Sequence, residues 1–192
     1  MIPLFLLSIV ASYIFPERYL AIRKASETDA NFMNIIREYI HEDKIDSALA
    51  LCQSKNTPVA RMIEKGIQRI GRPLSDVNTA IENVGNLEIS KLEASLPFLA
   101  TISGGAPMIG FLGTVIGMIQ AFYDMSMAGN NIDVSLLSNG IYTAMVTTVA
   151  GLIVGVFAYF GYNFLVARVE KVVFDLEAKT SEFMDLLNAP VA

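Results

Sequence analysis

Four threonines set inside long apolar stretches are the residues here whose type and spacing point to chemistry: Thr114, Thr143, Thr147 and Thr148. A hydroxyl offers one donor and two lone pairs, so it can orient water or a partner's polar side chain. A single threonine in a helix usually bonds the carbonyl three or four residues back and does nothing else. Several on two adjacent helices, with small residues around them, make a narrow polar strip. Pro107, Gly110, Thr114, Gly117 and Ala121 fall on one helical face at steps of three and four. Ala144, Thr148, Gly151 and Gly155 do the same further on, with Thr143 and Thr147 beside them. Gly113–Gly117 and Gly151–Gly155 are GxxxG pairs, which let apolar helices approach closely. Pro107, Gly110, Gly113, Gly117, Gly151 and Gly155 are therefore read as packing residues, and the threonines as lining a polar path.

Equally informative is what these stretches lack. No Asp, Glu, Lys or Arg occurs from Ala94 to Tyr123 or from Val134 to Ala167. Ion paths through membranes usually carry such a residue. If protons move here, the carboxylate must come from another protein. Nothing resembles a catalytic constellation, so the chain is not read as an enzyme, and no cofactor or metal is expected. His41, the one histidine, has no Cys or carboxylate at metal-ligand spacing and reads as a solvated helix-end residue. Cys52 is alone, cannot form an intramolecular disulfide, and reads as a small buried hydrophobe. The glycines at 110, 113 and 117 loosely resemble a phosphate loop, but no strand precedes them and no lysine adjoins them.

The elements that must position the threonines follow from composition. The 192 residues are 53% hydrophobic and only 17% charged, against roughly 25% charged in soluble chains. The deficit is concentrated in the two uncharged runs. Each exceeds the roughly 20 apolar residues that a helix needs to cross a bilayer. The expected fold is an all-α membrane protein: three transmembrane helices with long cytoplasmic helical extensions. All 14 Lys and Arg residues lie in two blocks, Arg18 to Lys91 and Arg168 to Lys179, and none lies between Asp124 and Asp133. The positive-inside rule puts both blocks in the cytoplasm and that connection outside. A net charge of −5 and no basic stripe argue against a nucleic-acid partner.

In chain order, residues 1–22 read as the first transmembrane helix, with its N-terminus outside. Pro16 closes the apolar part, and the cations follow it, the reverse of a cleaved secretory signal. The span is slightly short, so either Pro16 and Glu17 sit at the interface or residues precede Met1. Residues 23–96 read as a cytoplasmic helical domain. Asp29 is expected to cap a helix to His41, burying Phe32, Ile35, Ile36 and Tyr39. Asp43 is expected to cap the next, to Ser54, burying Ile45, Ala48, Leu49 and Cys52. Thr57-Pro58 caps a third, to Ile70, with Gly71 as its left-handed stop. From Ser75 one unbroken helix is expected, with an apolar stripe of Val77, Ala80, Ile81, Val84, Leu87 and Leu92. It passes through the second span, 97–125, with Pro97 and Pro107 inside it. Gly129-Asn130-Asn131 supplies turn chemistry in a periplasmic loop, 126–134. Asp133 or Ser135 starts the third span, 135–167. An amphipathic C-terminal helix, 168–192, ends near Asn188-Ala189-Pro190.

The run Gly110-Phe111-Leu112-Gly113-Thr114-Val115-Ile116-Gly117-Met118, the run Thr147-Thr148-Val149-Ala150-Gly151-Leu152 and the spacing of three spans resemble the MotA/TolQ/ExbB family of proton-channel subunits, the ExbB members most of all. The resemblance covers nearly the whole chain. It implies a homopentamer in the Gram-negative inner membrane, surrounded by lipid and driven by proton motive force. Its pore would hold an ExbD-like single-span subunit supplying an intramembrane Asp, and its motion would energise a TonB-like protein for outer-membrane transport. Thr114 and Thr148 match the family's two pore threonines. Thr143 stands where ExbB proteins of the best-known type carry a glutamate. The alternatives are a TolQ-like envelope-maintenance motor, a MotA-like stator (which the short cytoplasmic region disfavours) or a non-conducting structural membrane scaffold.

Overall fold

The computed structural model describes residues 2–27, 31–127 and 134–188, with side chains of the last segment described from residue 137. The expected Asp29 cap, the Gly129-Asn130-Asn131 turn, the Asp133 start and the Ala189-Pro190 end lie outside them. Seven helices make up the described chain: α1 Ile2–Ser26, α2 Phe32–His41, α3 Ile45–Lys55, α4 Pro58–Ile67, α5 Leu74–Glu93, α6 Leu96–Met127 and α7 Val134–Asn188. Among the described residues, three stretches are long and apolar enough to cross a membrane: Ile2–Ser26, Leu74–Met127 and Leu137–Asn188. The chain divides into two compact units, one of Met1–Glu17 with Ser95–Leu165, the other of Arg18–Ala94 with Val166–Ala192.

The first unit is a packing of apolar helix segments. Its small core comprises Leu4, Ala11 and Ile14 of α1, Leu99, Ile102 and Ala106 of α6, and Ala144, Ala158 and Leu165 of α7. Large side chains such as Phe98, Phe111, Ile116, Ile153 and Phe160 remain exposed, as a surface solvated by lipid requires. Pro16 does not end α1, which runs through it to Ser26. An interior proline forfeits one backbone hydrogen bond. Just before it, Phe15 packs against Phe157 and Phe164 of α7, with ring centroids 6.4 and 6.3 Å away. Gly161 makes room for that ring: a Cβ there would lie 3.0 Å from it.

The second unit is a bundle of short amphipathic helices. Thr57 accepts a hydrogen bond from the Ala60 N–H at 3.3 Å, and Pro58 occupies the first helical position, so α4 starts where the sequence placed it. α4 ends at Ile67, short of the expected Ile70; the chain tightens into a turn over Gln68–Ile70, and Gly71, with φ +90°, is left-handed after it. Asp43 does something else than expected. It is left-handed, φ 55°, and lies in the turn after α2, where Lys44 N–H bonds the Tyr39 carbonyl. Lys44, not Asp43, precedes α3, without a side-chain cap. Asp tolerates the left-handed region better than most residues, so it serves here as a stop. The core joins Ile36, Ala48, Cys52, Ile63 and Ile81 to Leu176 and Phe183 of α7.

The unbroken helix expected from Ser75 through the second span is interrupted. α5 ends at Glu93, Ala94 is extended, and Ser95 is left-handed at φ 72°. The physical reason is Pro97. It sits in the first turn of α6, where its missing N–H costs nothing, so the chain restarts instead of kinking. Pro107 does lie inside α6.

Candidate functional site

The seam between α6 and α7, within the first unit, gathers most of the residues singled out above. The two helices run antiparallel, and their small residues meet step by step. A Cβ on Gly155 would lie 2.5 Å from the Pro107 ring, and one on Gly151 2.6 Å from the Ala106 carbonyl oxygen and 2.9 Å from the Gly110 Cα. A Cβ on Gly110 would lie 2.9 Å from the Thr147 carbonyl oxygen, one on Gly117 2.7 Å from the Ala144 methyl, and one on Gly140 2.5 Å from the Ala121 methyl. Steps of three and four on α6 are thus answered by steps of three and four on α7. That alternation is the seven-residue repeat of a helical seam. Backbone-to-backbone contact of this kind is possible only where side chains are absent.

Such approach brings hydroxyls together. Thr114 and Thr148 hydrogen-bond each other through their Oγ1 atoms. Thr148 also donates to the Gly110 carbonyl at 3.1 Å, and the Thr114 hydroxyl lies 3.3 Å from the same oxygen. Thr147 donates to the Ala144 carbonyl at 2.6 Å, and its Oγ1 lies 3.4 Å from the Gly110 oxygen. Gly110 is the centre of this knot because its missing side chain admits α7. Gly113 contributes likewise: a Cβ there would lie 2.6 Å from the Thr147 Oγ1. All three threonines are half-buried. Thr143 is not brought into the group. It is exposed, and its hydroxyl donates to the Asn139 carbonyl of its own helix at 2.9 Å.

The second unit contains a polar cluster that the sequence reading did not single out. Glu88 is 4% exposed, on the stripe of α5 where Leu87 was expected, whereas Leu87 is 63% exposed. The helical spacing from Ile81 through Gly85 does lead to residue 88, so the signal was present but the residue type argued against it. The Arg61 guanidinium and the Lys91 ammonium, the latter at 2.7 Å, both pair with its carboxylate. Burial works to raise the Glu88 pKa, but the hydrogen bonds from Arg61 and Lys91 outweigh it and hold the carboxyl below its ordinary value. Arg61 further donates to the Asn56 carbonyl at 2.9 Å and ties α4 to the end of α3. His41 is exposed in the last turn of α2, and Cys52 is buried with its thiol pushed up to about 12, chiefly by desolvation.

Residues 54–178 match the model of the family described as the MotA/TolQ/ExbB proton channel family. An ExbB homologue of Methanothermobacter thermautotrophicus, described as a biopolymer transport protein, is 30% identical over 150 residues, covering 78% of this chain and 53% of that protein. The Tol-Pal system protein TolQ of Haemophilus influenzae is 36% identical over 103 residues, 54% of this chain and 45% of that one. The biopolymer transport protein ExbB of Aquifex aeolicus is 35% identical over 111 residues, 57% of this chain and 74% of that one. The chain spans about half the length of the first two of these relatives.

Proposed function

The chain belongs to the MotA/TolQ/ExbB proton channel family, and from that membership we propose that it is the pore-forming subunit of an inner-membrane motor driven by proton motive force. It is a multi-pass membrane protein of a transport family, not an enzyme. In this reading several copies, five in the arrangement that the resemblance implies, surround the single span of an ExbD-like partner. The partner's intramembrane Asp takes up and releases protons beside Thr114 and Thr148, and the resulting motion is passed to a TonB-like protein. Residues 1–22, 97–125 and 135–167 cross the membrane. The cation-bearing segments 23–96 and 168–192 face the cytoplasm, and 126–134 faces the periplasm.

The observation that carries the proposal is the Thr114–Thr148 pair on two segments without any Asp, Glu, Lys or Arg. These half-buried hydroxyls are bonded within the seam and keep acceptor lone pairs that a polar occupant can use. Interhelical hydroxyl bonds also suit a scaffold that only packs, so the transport measurement separates the two readings. The test is purification in detergent with whatever co-purifies, followed by reconstitution of proton-linked transport. A single-span partner with a membrane Asp is expected. Loss of one hydrogen bond worth about 1 kcal/mol should slow transport roughly fivefold in Thr148→Val. An unchanged rate would remove Thr148 from the mechanism.

A TolQ-like role in envelope maintenance is the second reading, favoured by the 36% identity to the Haemophilus influenzae protein. The identity of the co-purifying partners, TonB-like or TolA-like, separates the two. The relative from Methanothermobacter thermautotrophicus shows that the resemblance is not confined to Gram-negative bacteria. The Gram-negative inner membrane is therefore the narrower part of the proposal.

A further inference from the structure

We propose that the Thr114–Thr148 knot receives a partner's carboxyl group in its protonated form and disfavours the carboxylate. The inference rests on the reading that the acid comes from a partner, and it concerns which state of that acid this chain holds.

Donor counting leads to it. Thr114, Thr147 and Thr148 have one O–H each. Thr147 spends its proton on the Ala144 carbonyl at 2.6 Å. Thr114 and Thr148 share two protons between one mutual bond and the Gly110 carbonyl, 3.3 and 3.1 Å from their hydroxyl oxygens. Whichever of the two donates to the other, both protons are used inside the seam. The Gly110 carbonyl also accepts the Thr114 backbone N–H of the helix ladder, so it has no further capacity. What the half-buried hydroxyls have left to offer is lone pairs.

An ionised carboxylate is an acceptor only, whereas a carboxylic acid carries one O–H donor. A carboxylate seated here would face oxygen lone pairs in an apolar span and would remain uncompensated unless water came with it. A neutral acid can donate to the Thr114 or Thr148 oxygen at no cost to the internal bonds. Neighbouring charge does not alter this balance. α6 has no ionisable side chain between Glu93 and the Tyr123–Asp124 pair, and Asp124 accepts from Gln120 at 3.3 Å. On α7 only the phenols Tyr142, Tyr159 and Tyr162 precede Arg168, and the first-unit part of α1 carries Tyr13 and Glu17. The proton itself comes from water and returns to it. The threonines choose between the two forms and do not transfer it.

The test is infrared difference spectroscopy of the purified complex with its co-purifying partner, following the carboxylic acid C=O band against pH. The band is first assigned by an Asp→Asn change in the partner. Thr114→Val and Thr148→Val remove acceptor lone pairs and keep the shape. The expected result is a protonation midpoint lowered by about one pH unit, a tenfold change in the protonation equilibrium. Thr114→Ser restores the hydroxyl and should restore the wild-type midpoint. A raised midpoint in the valine variants would mean that the hydroxyls donate to the carboxylate, and it would overturn the inference while leaving the borrowed acid in place. An unchanged midpoint overturns it as well. An Asp in the partner that shows no acid band at any pH overturns it too, whereas a co-purifying partner with no membrane Asp would instead sink the borrowed-acid reading beneath it.

Discussion

Glu88 shows how much one side chain can hold in a small helical unit. Its carboxylate is paired with Arg61 and Lys91 while almost wholly buried, and its pKa is held below the ordinary 4.5. A depressed carboxyl contributes stability that is fully present above the unfolded value and is lost as pH falls through the folded one. Thermal melts of the protein in detergent, followed by circular dichroism, should therefore lose midpoint temperature as pH is lowered below about 4.5. Glu88→Gln should flatten that dependence. At neutral pH, Glu88→Ala should destabilise by about 3 kcal/mol, because it strands Arg61 against a partly buried environment. Cys52 gives a second residue-scale prediction. Burial pushes its thiol up to about 12. N-ethylmaleimide should leave it unmodified at pH 7 in the native protein and modify it promptly in denaturant. Its burial could be read from spacing alone, since Ile45, Ala48, Leu49 and Cys52 fall on one face. Glu88 could not, because a charged residue type conceals its own burial until its partners, here on two helices, are known.

At the level of elements, local chemistry was legible where a residue has one favoured use. Thr57-Pro58 starts a helix as expected, and left-handed Gly71 closes the turn Gln68–Ile70 that follows it, the helix itself ending at Ile67 and not at Ile70. The α5–α6 break was not legible, because apolar character continues across it and a proline in a long helical pattern suits a kink as well as a restart. The left-handed Ser95 that marks the break should be replaceable by glycine with a gain of about 1 kcal/mol. A melting temperature unchanged or lowered in Ser95→Gly would contradict this. The seam between α6 and α7 depends on glycine for the opposite reason. A side chain on Gly151 would meet the Ala106 carbonyl and the Gly110 backbone, neither of which can swing away. Gly151→Val should cost about 2 kcal/mol or more and should also disrupt the Thr114–Thr148 bond by forcing the helices apart. Here the sequence was informative, since the small residues recur at helical steps on both segments. It did not reveal that Thr143 keeps to its own helix while Thr147, four residues on and only about 40° round the helix, comes within 3.4 Å of the Gly110 carbonyl oxygen, because so small an offset decides which hydroxyl enters the seam.

For the molecule as a whole, the uncharged runs and the confinement of cations to two blocks made the helical membrane class readable without coordinates. The proposed sidedness is open to a direct check. Ser126, near the end of α6, and Ser181, in the C-terminal part of α7, are both exposed. In intact cells, a membrane-impermeant maleimide admitted to the periplasm should label Ser126→Cys and spare Ser181→Cys, and inverted vesicles should show the reverse. Labelling of Ser181→Cys from the periplasm would reverse the orientation. The partner, and the acid it is proposed to bring, lay beyond what one chain's residues display. Only the absence of an ionisable group beside the threonines hinted at it.

The Pro107 ring, lodged in the notch at Gly155, has a mechanical consequence. It works as a key in a slot: for α6 to slide along α7 toward the C-terminal end of α7, the ring would have to climb over Ala158, the next side chain on that face. Piston-like slip in that direction is therefore blocked, and whatever displacement of that sense accompanies a working cycle must carry them together as one stiff stave. Gly155→Ala, by filling the slot, should loosen that coupling before it unfolds anything.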